Sequence, residues 1–375
     1  MRMRKAVASG LTALLATAAL AGCGDAPESS ASGGDGGGEE TPAALDFLPC
    51  IVSDAGGFDD KSFNQLGYEG AKQAADELGV ELNAVESNSE NDYGPNLESL
   101  VAEGCDAIVT VGFALASATK ESAAANPDIK YILIDDAADG GDDGETFDGQ
   151  ADQPNIKPLL YDTSQAAFLA GYAAADYTKT GVVGTYGGLP FPTVTIFMDG
   201  FKQGAEYYAK EKGKDVKVVG WDGKDGLFTG GFEANETATN TARQLLDQDV
   251  DVILPVGGPI YQGALTAIDA SGADVAMLGV DADVFETDPN TQDVILTSIL
   301  KNMKVSTYEA IMSAGSGDEF DFTPYVGTLE NEGVGLAPFH NFESKVSDSL
   351  ASELDEVKAG IIDGSIPVTS YLQGS

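Results

Sequence analysis

Acids, aromatic rings and glycines cluster just after the short apolar runs of this sequence, where parallel sheets expose their strand ends. The first run is followed by Asp54, a pair of glycines, and then Phe63 and Asn64. Asp54 offers a hydrogen-bond acceptor and Phe63 a flat apolar face, a pair suited to a planar ligand that carries N–H groups. The alternative is structural: an acid that starts a helix and a phenylalanine that enters a core. Asp59 and Asp60 read as helix-start acids, because adjacent residues on a turn rarely face one point. Gly112 follows Val111 and lets backbone approach a ligand closely. Asp135 and Asp136 follow Ile134, and Phe191 and Phe197 follow Gly187-Gly188. Gly257 follows Pro255-Val256, Asp281 follows Val280, and Lys301 closes a later run. Each is ordinary turn chemistry by itself. Together they supply acceptors for ring N–H and amino groups, rings for stacking, and an Asp–Lys pair able to address the vicinal hydroxyls of a ribose. No residue looks like an activated nucleophile, and no catalytic residue is expected.

For these groups to meet, the intervening elements must be strands and helices in alternation. Apolar runs at 47–52, 80–85, 106–111, 131–134 and 156–161 alternate with helical periodicity at 62–78, 93–102, 115–125 and 164–177. A second series follows, with strands at 182–186, 216–221, 252–255, 275–280 and 294–300. That βα rhythm predicts parallel sheets covered on both faces, in two similar α/β lobes. The expected boundaries are 45–179 for the N-terminal lobe, with a returning segment at about 300–318, and 180–299 for the C-terminal lobe, with about 319–375. Ligands of such sheets sit beyond the carboxyl ends of the strands, so a cleft between the lobes is the expected site.

The chain start sets the compartment. Arg2, Arg4 and Lys5 precede an apolar stretch too short to span a bilayer, and Leu20-Ala21-Gly22-Cys23 closes it. This predicts a signal peptide over 1–22 and lipidation of Cys23, with anchoring to the outer face of the cytoplasmic membrane through that lipid alone. Residues 23–44 read as a flexible tether. The chain holds 20 Lys+Arg against 61 Asp+Glu, a net charge of −41, which argues against nucleic acid and anionic headgroups as partners. His340 is the only histidine, which removes most metal sites and makes a Ser-His-Asp triad improbable. Neither metal nor cofactor is expected, and the acidic loop 138–153 reads as solvated rather than as a Ca²⁺ site. Cys50 and Cys105 would form a disulfide if their strands are neighbours, or two buried thiols otherwise.

Residues 56–72 (GGFDDKSFNQLGYEGAK), with 166–188, 197–205, 279–286 and 296–301, carry a resemblance to the basic membrane protein lipoproteins, the substrate-binding components of nucleoside ABC importers. The resemblance covers nearly the whole mature chain. It implies a type I periplasmic binding fold with three crossovers between the lobes, a monomer, a nucleoside ligand (a purine foremost) and an ABC permease as partner. It further implies that Phe63 and a second-lobe ring, Phe197 or Phe191, sandwich the base. Asp54 and Asp135 would meet the polar edge of the base with Asn64 and Gly112 nearby. Asp281 and Lys301 would take the ribose, with Gly257 close to the sugar. Leu189-Pro190-Phe191-Pro192 departs from the family pattern. A sugar ligand, a sensing lipoprotein and an exported hydrolase are the competing readings.

Overall fold

The computed structural model describes residues 45–140 and 149–373. The segment 1–22, Cys23, the tether and residues 141–148 of the acidic loop lie outside the described residues. The chain begins β1 (Pro49–Val52), α1 (Phe63–Leu78), β2 (Asn83–Val85), α2 (Tyr93–Ala102), β3 (Ala107–Val111), α3 (Ala116–Ala125), β4 (Lys130–Ile134) and β5 (Ile156–Tyr161). It continues α4 (Thr163–Tyr177), β6 (Val182–Gly187), α5 (Pro192–Lys212), β7 (Lys217–Val219), α6 (Glu236–Leu246) and β8 (Val252–Val256). Then come α7 (Tyr261–Ser271), β9 (Ala276–Asp281), α8 (Val284–Thr287), β10 (Ile295–Lys301), α9 (Met303–Gly315), β11 (Tyr325–Gly327), β12 (Val334–Leu336) and α10 (Leu350–Ile362).

Among the described residues the strands form two six-stranded sheets, ordered β11-β5-β4-β3-β1-β2 and β12-β10-β9-β8-β6-β7. All pairings are parallel except β10 with β12. The largely apolar runs occupy the sheet centres: every residue of β1, β3, β8 and β9 is buried, as helices on both faces require. The edge strands β2 and β7 are three residues each and half exposed, so pairing covers only part of the runs 80–85 and 216–221. Cys50 in β1 and Cys105, two residues before β3, are bonded through their sulfurs with Cα atoms 5.9 Å apart. They meet because β1 and β3 are adjacent in register, Pro49 opposite Ala107.

The lobe boundary differs from the expected one. Helix α4 does not complete the first lobe; it packs along α5 and on β10 and β12 of the second sheet. Glycines make the difference. A Cβ at Gly171 of α4 would collide with the carbonyl of Phe201, and one at Gly204 of α5 with the carbonyl of Phe168. The two helices therefore interlock backbone to backbone, which ties α4 to the second lobe. The chain first crosses between β5 and α4, at Asp162, rather than near residue 179. It returns between β10 and α9, where α9 packs on α1. It crosses again between β11 and β12, so β11 is an edge of the first sheet although 319–375 was assigned to the second lobe. Three crossings connect the lobes.

Candidate ligand-binding cleft

The first wall is built at the carboxyl end of β1. The Asp60 carboxylate accepts the N–H groups of Ser62 (3.0 Å), Asn64 (2.8 Å) and Gln65 (3.1 Å), which starts α1 and fixes the residues around it. Asn64 is fully engaged. Its amide oxygen accepts the Asp54 N–H at 3.2 Å, and its amide nitrogen donates to Asp54 Oδ1 (2.7 Å) and Asp60 Oδ2 (3.1 Å). Asn64 thus orients Asp54. Gly56 N–H donates to the same Oδ1 at 2.9 Å, leaving Asp54 Oδ2 directed past Gly112. A Cβ at Gly112 would stand 3.1 Å from that oxygen and 3.3 Å from Phe63 Cε1, and Gly112 has φ +108°, so no side chain intrudes between acid and ring. Burial pushes the Asp54 carboxyl up to about 6, against the hydrogen bonds from Gly56 and Asn64 and with help from the charges of Asp60 and Asp135.

Lys301 stands between the walls. Its Nζ lies 2.7 Å from Asp135 Oδ2 of the first lobe and 3.6 Å from Asp281 Oδ1 of the second. It is also 5.1 Å from the ring centres of both Phe63 and Phe197 and 5.5 Å from that of Tyr161, a cage in which cation–π attraction replaces lost water. Asp135 and Asp281 are both buried and both left-handed, with φ of 71° and 66°. Asp281 Oδ2 accepts from the Ser62 hydroxyl at 3.3 Å, whereas Oδ1 is buried without a hydrogen-bond partner. Burial raises the Asp281 carboxyl to about 6, Lys301 opposing and Asp135 and Asp60 adding to the rise.

The second wall carries a ring that sequence reasoning missed. Phe232, in the loop between β7 and α6, lies across Gly188 and Gly257; a Cβ at Gly257 would stand 2.6 Å from its Cδ1. Gly257 has φ +138° and could not carry one without strain. The signal was available, because residues 222–235 leave the carboxyl end of a strand as the other site loops do. Phe113 was likewise passed over. Its ring lies 4.4 Å from Phe191 and 6.2 Å from Phe232, joining first lobe to second at the rim. Phe191 is 38% exposed there, outside the cage, while Phe197 is 2% exposed with the Lys301 ammonium over its ring. The structure therefore gathers Phe63, Asp135, Phe197, Asp281 and Lys301 into one cluster. Asp54, Asn64 and Gly112 adjoin it through Phe63, Gly257 lies under Phe232, and Phe191 stands apart at the mouth. Asp283, in the same strand-end motif as Asp281, instead caps α8 and meets His340 at 2.8 Å.

Comparison with known proteins converges on one family. The model of ABC transporter substrate-binding proteins of the PnrA-like kind matches residues 48–369. The chain is 27% identical to the ABC transporter nucleoside-binding protein BmpA of Lactococcus lactis, over 98% of this chain and 99% of the relative. An uncharacterised lipoprotein of Pyrococcus abyssi is 32% identical over 95% of this chain and 85% of its own length. A solute-binding protein of an ABC transporter system from Aeropyrum pernix superposes with a TM-score of 0.73 at 26% identity, covering 85% of this chain and 92% of that one. The fold is the two-lobe type I periplasmic binding fold. No helix among the described residues is long and apolar enough to cross a membrane.

Proposed function

The chain belongs to the PnrA-like family of ABC transporter substrate-binding proteins, and from that premise we propose that it captures a nucleoside, a purine foremost, by closing its lobes and delivers it to an ABC permease. One observation carries the reading: two carboxylates reach the cleft with an oxygen unspent, Asp54 Oδ2 beside the Phe63 ring and Asp281 Oδ1 beside Lys301. The first suits the N–H edge of a stacked base. The second, with the ammonium, suits hydroxyls that both donate and accept, as ribose does. The name of the Lactococcus lactis relative points to the same ligand class.

Among second-lobe rings, Phe232 has the better claim to stack on the base. Phe197 is buried and turned to Lys301, and Phe191 is spent on Phe113 at the rim. Phe232 is half-buried and packs flat against two glycines, positions where a Cβ would displace its ring. Asp135 serves chiefly to hold Lys301, and through it to draw the lobes together. Closure would desolvate the stacked base and complete hydrogen bonds from both walls, and a ligand drives it only through stronger binding to the closed form. Export by the 1–22 segment and a lipid on Cys23 would hold the protein at the outer face of the cytoplasmic membrane.

Calorimetric titration with inosine, guanosine, adenosine, uridine and ribose tests the proposal. Nucleosides should bind and ribose should not. Tight binding of ribose with no response to any nucleoside would overturn base stacking and leave a sugar carrier.

A further inference from the structure

The lobes also touch away from the caged lysine. Lys61 of the first lobe reaches Asp288 of the second, Nζ to Oδ1 at 3.4 Å. Asp288 is 2% exposed and prepared for a cation. Its Oδ2 accepts from the Tyr261 hydroxyl at 2.9 Å, and its Oδ1 accepts from the backbone N–H (3.2 Å) and side-chain amide (2.9 Å) of Asn290. These second-lobe donors are neutral, so in an open molecule the buried charge would lack its counter-ion. Burial works against that charge, yet Tyr261, Asn290 and Lys61 together hold the carboxyl below its usual range.

The first-lobe side of the contact is shaped for reach. Lys61 has φ +59°, a left-handed backbone that a residue with a Cβ rarely adopts. It is held there from both sides, because Asp60 grips the N–H groups of Ser62 and Asn64. The next residue makes a second bridge: the Ser62 hydroxyl donates to Val280 O at 3.1 Å and to Asp281 Oδ2 at 3.3 Å. Residues 60–62 therefore form one rigid finger. Its root is the cap of α1, and its tip is docked on the second lobe beside Asp281.

We propose that Lys61 and Asp288 are a closure latch, a pair that touches no ligand but sets how long the closed lobes retain one. Neither residue belongs to the cluster around Lys301. Lys61 is a positioning residue that acts through closure. The inference rests on capture by lobe closure but not on which solute is captured. A half-exposed cation on a buried carboxylate also makes retention sensitive to salt, since the Debye length shrinks from about 10 Å at 0.1 M to about 3 Å at 1 M.

The test uses the full chain and its Lys61→Met, Lys61→Arg, Asp288→Asn and doubly substituted forms, with inosine as probe in stopped-flow dissociation. Lys61→Met should speed dissociation about 3- to 10-fold and change association far less, between the effects of exposed and buried ion pairs. Lys61→Arg should restore most of the loss. The double variant should dissociate no faster than Asp288→Asn alone, and its salt dependence should flatten while the melting temperature of Lys61→Met stays near that of the parent. Unchanged dissociation in Lys61→Met, or additive effects in the double variant, would overturn the latch. Small-angle scattering without ligand separates this from failure of the nucleoside reading. The ligand-free Lys61→Met form should be more open than the parent even if no nucleoside binds, and equal compactness of the two would also overturn the latch.

Discussion

Replacing Asp54 by Asn should make this protein more stable at neutral pH while weakening its ligand binding. The Asp54 carboxyl stands near 6 against 3.8 for a free aspartate, because burial disfavours its charge more than Gly56 and Asn64 favour it. Each unit of displacement corresponds to about 1.36 kcal/mol, so carrying the charge above pH 6 costs about 3 kcal/mol. Partial exposure of the residue lets water screen it, which reduces the figure to about 2 kcal/mol. The sign follows from proton linkage. Below about pH 4 the group is protonated in folded and unfolded chains alike and there is no penalty. Between about 4 and 6 the folded protein holds a proton that the unfolded chain has released, so stability falls as pH rises, and it stays at the lower level above 6. Asparagine keeps an oxygen for Gly56 and Asn64 and never carries the charge. Urea unfolding at pH 4 and 7.5 is the assay, with inosine titration beside it. Asp54→Asn should be about 2 kcal/mol more stable than the parent at pH 7.5, near parity at pH 4, and poorer at binding. Equal stability at pH 7.5, or the same difference at both pH values, would refute the desolvation argument.

Phe63→Ala and Phe232→Ala should each cost about 1–3 kcal/mol in nucleoside affinity, as base–aromatic stacking does elsewhere; an unchanged affinity in either, measured calorimetrically, removes that ring from the sandwich. Asp281→Ala should lose nucleoside binding with less effect on the free base, and equal loss of both would argue against a ribose contact. With 61 acids against 20 bases, the folded chain repels itself. Raising NaCl from about 0.1 to about 2 M should therefore lift the melting temperature by about 5 °C or more, and a flat or falling melting temperature would refute that account.

The strand ends were legible because their chemistry is local. A buried parallel strand shows as an apolar run, and the residue after it is at the cleft wherever the sheet is open-edged at that end. That rule singles out Asp54, Gly112, Asp135, Gly257, Asp281 and Lys301 as candidates. Which sheet a helix covers is not local. Residues 164–177 are helical by periodicity, but their place on the second lobe depends on Gly171 and Gly204 admitting backbone on backbone, a match between two helices that neither announces alone. The neighbouring of Cys50 and Cys105 likewise depends on β1 lying beside β3. Phe232 was missed because its loop follows a three-residue edge strand and has no periodicity of its own.

The two sheets correspond in strand order from β5 and β10 inward, and that correspondence explains the asymmetry of the site. In their orders β3 matches β8, β4 matches β9 and β5 matches β10. Gly112 after β3 and Gly257 after β8 are then equivalent, both at positive φ. Asp135 and Asp281 are equivalent too, each left-handed at the end of its strand and each aimed at the cleft. Two buried carboxylates brought face to face by closure would repel strongly. At the next pair of strand ends the equivalence breaks, for β5 ends in Tyr161 and β10 in Lys301. One cation thus serves two equivalent acids, at 2.7 Å from Asp135 and 3.6 Å from Asp281. The shorter contact holds the lobes together and the longer one leaves Asp281 Oδ1 wanting a donor. If the proposed nucleoside reading holds, a ligand hydroxyl would supply that donor in the closed cleft and so give the ligand the preference for the closed form that capture requires.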